Sequence, residues 1–160
     1  MNWGEFERAN PELAALGRER FETRELCMLG TLRRGGWPRI SPCELDFVGD
    51  ELLLGMMWQS PKARDLLRDG RCVLHSCTAD RNGTEGDFKL YGRARQVNHP
   101  ETQEAYRAAV RARIDWEPSG AFHLFALAVE SAGFVVFSPR AYGMAWDPEN
   151  GMRRWEQRLE

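Results

Sequence analysis

One arginine, two serines and a lysine stand at spacings that suit an anion. Arg39 and Ser41 are two residues apart, so any strand that carries them shows both on one face. Ser60 and Lys62 flank Pro61, and Ser-Pro is a helix-start signal, with serine at the cap and proline at the first helical position. A helix start leaves backbone N–H groups unpaired. A hydroxyl and a lysine beside those groups make a place for a phosphate. The same residues also fit a plainer use, Ser60 as a cap and Lys62 as a solvated charge.

Other chemistries lack their marks. The chain has no G-x-G-x-x-G after a strand, no G-x-x-x-x-G-K-[ST] and no G-x-S-x-G. Rossmann, P-loop and hydrolase-triad readings are unsupported. His75, His99 and His123 have no evident Ser or Cys partner, and no side chain stands out as a general acid or base. Cys27, Cys43, Cys72 and Cys77 form no C-x-x-C pair and show no zinc spacing. Cys72 and Cys77 are an odd number apart, so on a strand they point to opposite faces and cannot bridge. Reduced thiols of a cytoplasmic protein are the expectation.

The elements that must hold these residues follow from pattern. Asn10-Pro11 opens a helix to about Glu22. Strands are expected over 26–33, 38–47 and 51–57, joined by Gly35-Gly36 and Gly49-Asp50 turns. A helix over 60–68 carries Ala63, Leu66 and Leu67 at helical spacing. Further strands are expected over 72–79, 86–97 and 123–137, the last bulged at Gly133, with a helix over 100–114 between the second and third of them. A terminal hairpin joins 142–146 to 152–157. Phe88, Leu90 and Ala94 alternate with Lys89, Tyr91, Arg93 and Arg95. The set is mainly β (α+β), an antiparallel barrel of about seven or eight strands with about three connecting helices. Residues 1–160 read as a single domain, the first helix near 11–22 and the barrel near 25–157.

The bulk numbers agree with a globular chain. A length of 160 residues allows a core without disulfides. A net charge of -2 gives no reason to expect nucleic acid. Residues 1–12 carry acids and no apolar run, unlike a secretory signal, and no stretch has the roughly 18 apolar residues of a membrane helix. Lys62 and Lys89 are the only lysines, a composition bias in favour of arginine.

The ordered combination carries more than any single motif. G-W-P-R-I-S-P in the second strand is followed by S-P-K-A at a helix start, D-G-R-C-V-L into the next strand, and D-F-K-L-Y-G-R-A beyond it. This series, over about residues 22–98, resembles the pyridoxamine 5'-phosphate oxidase-like FMN-binding split-barrel family, and F-H-L-F at 122–125 and A-W-D-P-E-N-G at 145–151 match more loosely. The resemblance implies a split barrel with FMN at a homodimer interface. It implies that Arg39, Ile40, Ser41 and Pro42 line the ring and ribityl side, with Gly55 and Met56 on the neighbouring strand. Ser60 and Lys62 would take the phosphate, and Trp146 and Arg154 would come from the partner subunit. Met57 and Trp58 would face the ring or the dimer contact, or simply fill the core.

The oxidases of vitamin B6 carry S-R-K at this turn. Pro61 stands in place of that arginine, and their C-terminal Arg and His signature is not found. The resemblance therefore implies a flavin-dependent oxidoreductase acting on an unknown small molecule rather than on vitamin B6. Three alternatives stay open. One is a reductase using a deazaflavin coenzyme, its long tail in a basic groove lined by Lys89, Arg93 and Arg95. Another is a non-enzymatic flavin or heme carrier or stress-related protein, with His75, His123 or a cysteine as the heme's axial ligand. The third is a barrel that has lost its ligand and acts through protein contacts.

Overall fold

The computed structural model describes residues 1–137 and 141–157. Two helices open the chain, α1 (Trp3–Ala9) and α2 (Pro11–Arg24). The strands β1 (Leu26–Leu32), β2 (Pro38–Glu44), β3 (Asp46–Val48) and β4 (Glu51–Met57) follow, then α3 (Pro61–Arg68). After these come β5 (Arg71–Ser76), β6 (Asp87–Gln96), α4 (Pro100–Ile114), β7 (Phe122–Val136), β8 (Ala141–Asp147) and β9 (Gly151–Gln157). The fold is mainly β, an antiparallel split barrel with helices.

Every strand pairing is antiparallel, in the order β2-β1-β5-β6-β7-β4-β3, with β8 on β7 and β9 on β8. The long β7 explains the split. Phe122 to Ala126 pair with β4, whereas Ala132 to Val136 pair with β8. Between these two ladders the register on β6 shifts, Tyr91 facing Ser131 and Gly92 facing Val129. Glu130 is the extra residue, so the bulge lies there and not at Gly133, which is paired regularly with Lys89 and Ala145. A Cβ on Gly92 would run into the Ala128 carbonyl, so the bulge requires glycine on the partner strand. The barrel closes where β2 packs against β4, and among the described residues no ladder joins these two strands.

The alternation in β6 holds, with Phe88, Leu90, Gly92 and Ala94 inward and Tyr91, Arg93 and Arg95 exposed. Phe88 meets Phe21 of α2 edge-on at 5.4 Å between ring centroids. Each such fully buried side chain contributes roughly 1.5–3 kcal/mol. A second, smaller cluster seats α4 on the outer face of β4 and β7, through Tyr106 and Val110 against Leu53, Leu124 and Ala126.

Two elements escape the sequence pattern. The helix α1 has only Trp3 and Phe6 as large apolar residues, three apart, too few to show a period. Its ends are nevertheless specified, because Asn2 and Glu5 form a capping box. Its purpose is to cover the β8 end of the barrel, where Phe6 packs on Trp146 at 5.4 Å. The 38–47 strand is in fact two, because the chain leaves β2 at Leu45 and re-pairs as β3 with β4. This makes nine strands and four helices among the described residues. No helix among them is long and apolar enough to cross a membrane.

Candidate functional site

Two concavities lie on either side of the first turn of α3. The turn that leads into it is tight. Gln59 adopts φ 55°, and the Ser60 N–H donates to the Met57 carbonyl at 3.1 Å. A non-glycine residue in left-handed backbone persists only where the surroundings demand it.

The first concavity is a groove of about 620 Å³ on the outer face of β2 and β4. Pro42, Gly55, Ser60 and Lys62 line it, and the segment from Trp116 to Phe122 after α4 forms its far wall. Lys62 donates through Nζ to the Pro42 carbonyl at 2.5 Å, tying the helix start to β2. The Ser60 hydroxyl does not cap α3, and its oxygen is buried with no hydrogen-bond partner. Such an orphan hydroxyl costs about 1–3 kcal/mol unless something satisfies it. Gly55 is required here, because a Cβ would run into the Tyr106 hydroxyl. Burial pushes the Tyr106 phenol well above its ordinary pKa, so it stays protonated.

The second concavity is a cleft of about 470 Å³ lined by Arg33, Arg34, Arg39, Arg64 and Arg68 around one carboxylate, Asp65. Asp65 is buried and accepts from Arg39 Nε at 2.7 Å, Thr31 Oγ1 at 3.0 Å and Arg68 Nη1 at 3.3 Å. Burial alone would raise its pKa, yet the hydrogen bonds from Arg39, Thr31 and Arg68 together hold it below the usual carboxylate value. Asp65 thus stays ionised and fixes two guanidiniums. Arg33, Arg34 and Arg64 form no ion pair among the described residues.

The residues singled out from sequence are distributed as follows. Pro42, Gly55, Ser60 and Lys62 come together in the groove, and Met56 borders it although its side chain packs in the barrel core. Arg39 and Ser41 do share a face, but Arg39 turns to Asp65 and lines the cleft. Ile40 points the other way and is 70% exposed. Trp146 is buried against Phe6, and Arg154 pairs with Glu12 at 2.6 Å. Within one chain neither is brought to the groove. Trp58 stacks on buried His123 at 4.3 Å and 10°, covering a ring whose Nε2 has no partner. Burial pushes the His123 pKa down, which favours the neutral ring. Sequence reasoning missed Tyr106, Trp116 and the cleft arginines other than Arg39. The arginines had a signal, Arg33-Arg34 before the Gly-Gly turn and Arg64 and Arg68 one helical turn apart. Lys89, Arg93 and Arg95 line neither concavity, and Arg93 instead pairs with Glu130 at 2.8 Å.

A family model for pyridoxamine 5'-phosphate oxidase matches residues 14–136. The chain belongs to this family. Among curated proteins none matches its sequence. Solved structures match its fold. A pyridoxamine 5'-phosphate oxidase-related, FMN-binding protein from Nostoc punctiforme aligns with TM-score 0.64 at 13% identity, over 94% of this chain and 96% of that one. PhzG from Burkholderia lata, solved with tetrahydrophenazine-1-carboxylic acid, aligns with TM-score 0.63 at 14% identity, over 98% and 93%. A heme-binding protein from Mycobacterium smegmatis aligns with TM-score 0.61 at 20% identity, over 89% of this chain and 57% of that one. At these identities the likeness is one of fold.

Proposed function

We propose that this member of the pyridoxamine 5'-phosphate oxidase family binds FMN in the groove beside α3 and acts, as a cytoplasmic homodimer, on a small molecule as a flavin-dependent oxidoreductase. The observation that carries the reading is the buried, unpartnered Ser60 hydroxyl at the start of α3, with Lys62 beside it. A phosphate oxygen there would satisfy the hydroxyl and meet both the lysine and the unpaired N–H groups of the helix. Arg39, held two residues before Ser41 by ionised Asp65, stands on the other side of the same turn as a second cation for the phosphate.

A bound flavin supplies a hydride-accepting ring. The protein's part is to bind, orient and exclude water. Pro42 and Gly55 offer backbone and no bulk to a flat ring laid across β2 and β4. The rim of the groove is apolar and open, with Ile40 70% and Met57 79% exposed. A second copy of the chain set on this rim would dry the groove, and such exposed apolar rims mark contact surfaces. The hairpin of β8 and β9, through exposed Arg154, belongs to the partner's contribution in this reading, whereas Trp146 is spent on the core of its own subunit.

The test begins with the visible spectrum of the purified protein and a titration with FMN. Lys62→Glu should weaken FMN binding roughly 10- to 100-fold, the worth of one charge-assisted contact. A colourless protein that ignores added FMN would sink the reading.

The arginine cleft favours a second reading, a deazaflavin coenzyme whose acidic tail runs past the phosphate. Five guanidiniums and one carboxylate line the cleft, more positive charge than one phosphate uses. Parallel titrations with FMN and the deazaflavin coenzyme separate the two. Heme would need an axial ligand, and the candidate His123 Nε2 lies beneath Trp58.

A further inference from the structure

The groove holds a second hydroxyl that the FMN reading leaves unused, that of Tyr106 on α4. The ring is 3% exposed and packs with Leu53 of β4 and with Leu124 and Phe122 of β7, Phe122 stacking on it at 5.8 Å and 25°. The hydroxyl end reaches further. Leu53, Gly55 and Met57 are alternate residues of β4 and share its outer face. Leu53 is covered by α4, Met57 is exposed at the rim, and Gly55 lies between them. The Tyr106 hydroxyl stands over Gly55, in the space a side chain would take, where the cover of α4 ends and the groove opens.

Packing does not account for this hydroxyl, since phenylalanine would bury the same ring. It makes no hydrogen bond with any described residue. The two carboxylates nearby, Glu44 and Asp46, are engaged by Arg113 at 3.0 and 2.9 Å. Burial, and then Asp46 and Glu44, keep the phenol protonated. Tyr106 is therefore a buried donor that costs free energy until an acceptor meets it. The groove is the side from which an acceptor can come.

The donor also stands at a useful distance from the anion corner. Gly55 is two residues before Met57, whose carbonyl accepts from the Ser60 N–H. A strand rises about 3.3 Å per residue, so the hydroxyl lies roughly 7 Å along β4 from the turn that carries Ser60 and Lys62. The groove thus has a cationic corner at one end and a neutral donor over a glycine floor further in. We propose, resting on the FMN reading above, that Tyr106 orients and selects the flat ring, its hydroxyl donating to a carbonyl oxygen or an unprotonated ring nitrogen of the flavin laid over Gly55. A ring that turned a methyl edge to Tyr106 would leave the donor unmet. The contact therefore fixes which edge of the flavin lies under α4 and discriminates against flat ligands that bring no acceptor there.

Tyr106→Phe keeps the ring and removes only the donor. Titration of this variant with FMN should give a Kd about 3- to 10-fold higher, the worth of one neutral hydrogen bond. The visible band of the bound flavin should move, because a hydrogen bond to the ring is lost. Urea unfolding of the ligand-free variant should show an unchanged or higher midpoint, because an unmet buried donor has been removed. A variant that binds FMN as tightly as the unsubstituted protein overturns the role of Tyr106 and leaves the FMN reading standing. A ligand-free variant with a lower midpoint shows a packing role and overturns it as well. If the unsubstituted protein ignores FMN, the FMN reading and the role of Tyr106 fall together.

Discussion

Two buried aspartates hold the walls of the two concavities, and they are ionised on different terms. Asp65 stands beneath the arginine cleft and joins β1, β2 and α3 through Thr31, Arg39 and Arg68. Asp46 stands behind the groove and joins β3 to α4 through Arg113, at 2.9 Å. Their side chains are 5% and 6% exposed, so burial alone does not separate them. The partners do. Three donors from separate elements hold the Asp65 pKa down against burial. Asp46 has one arginine, which it shares with Glu44 and Glu25, and burial with these acids pushes its pKa up. A buried carboxylate becomes a firm anchor only when its donors outnumber the acids around it.

Removing the Asp65 anchor should have the largest effect. Asp65→Ala leaves the Arg39 and Arg68 guanidiniums without their carboxylate, at a cost of about 3 kcal/mol in urea unfolding, with a matching loss of ligand affinity at the groove. A loss under 1 kcal/mol would show that the cleft is not anchored there. Gly55→Val comes next. The added branch displaces Tyr106 and should cost about 1–3 kcal/mol and narrow the groove, read by the same unfolding measurement.

Asp46→Asn should cost about 1 kcal/mol or less, because Arg113 keeps Glu44 at 3.0 Å and a carboxylate with a raised pKa is relieved of its charge. The two aspartates should also separate by pH. The lowered Asp65 pKa contributes stability above its unfolded value near 4, and this is lost as pH falls through the folded pKa. The raised Asp46 pKa has the opposite sign, a penalty that is relieved as pH falls through the folded value above about 4. Unfolding free energies measured across the acid range should therefore fall less steeply in Asp65→Asn and more steeply in Asp46→Asn. The smallest effect belongs to Arg33→Ala and Arg34→Ala. Both residues are exposed, and stability should change by less than about 0.5 kcal/mol while affinity for a multiply anionic ligand falls. An unchanged affinity would remove the cleft from ligand binding.

The family and the barrel were legible in the chain because they rest on local signals. Alternation marked β6, the Asn10-Pro11 and Ser60-Pro61 junctions marked α2 and α3, and glycine turns separated β1 from β2 and β3 from β4. Pro42, Gly55, Ser60 and Lys62 could be assigned to one place because they lie on adjacent elements of that pattern. What the pattern could not hold was partnership across the fold. Nothing within a few residues of Asp65 marks it as an anchor, because its partners Thr31 and Arg39 come from β1 and β2. Arg39 was read as facing the ring, and the competing carboxylate turned it to the cleft. The bulge was read at Gly133 because glycine is the usual local sign, whereas the strands that flank β7 put it at Glu130. Sequence by itself determined the elements and the residues able to meet a phosphate, since both depend on neighbours within a few positions. The tertiary structure decided which arginines are pinned and which hydroxyls are left unpaired, since each depends on a partner far away in the chain.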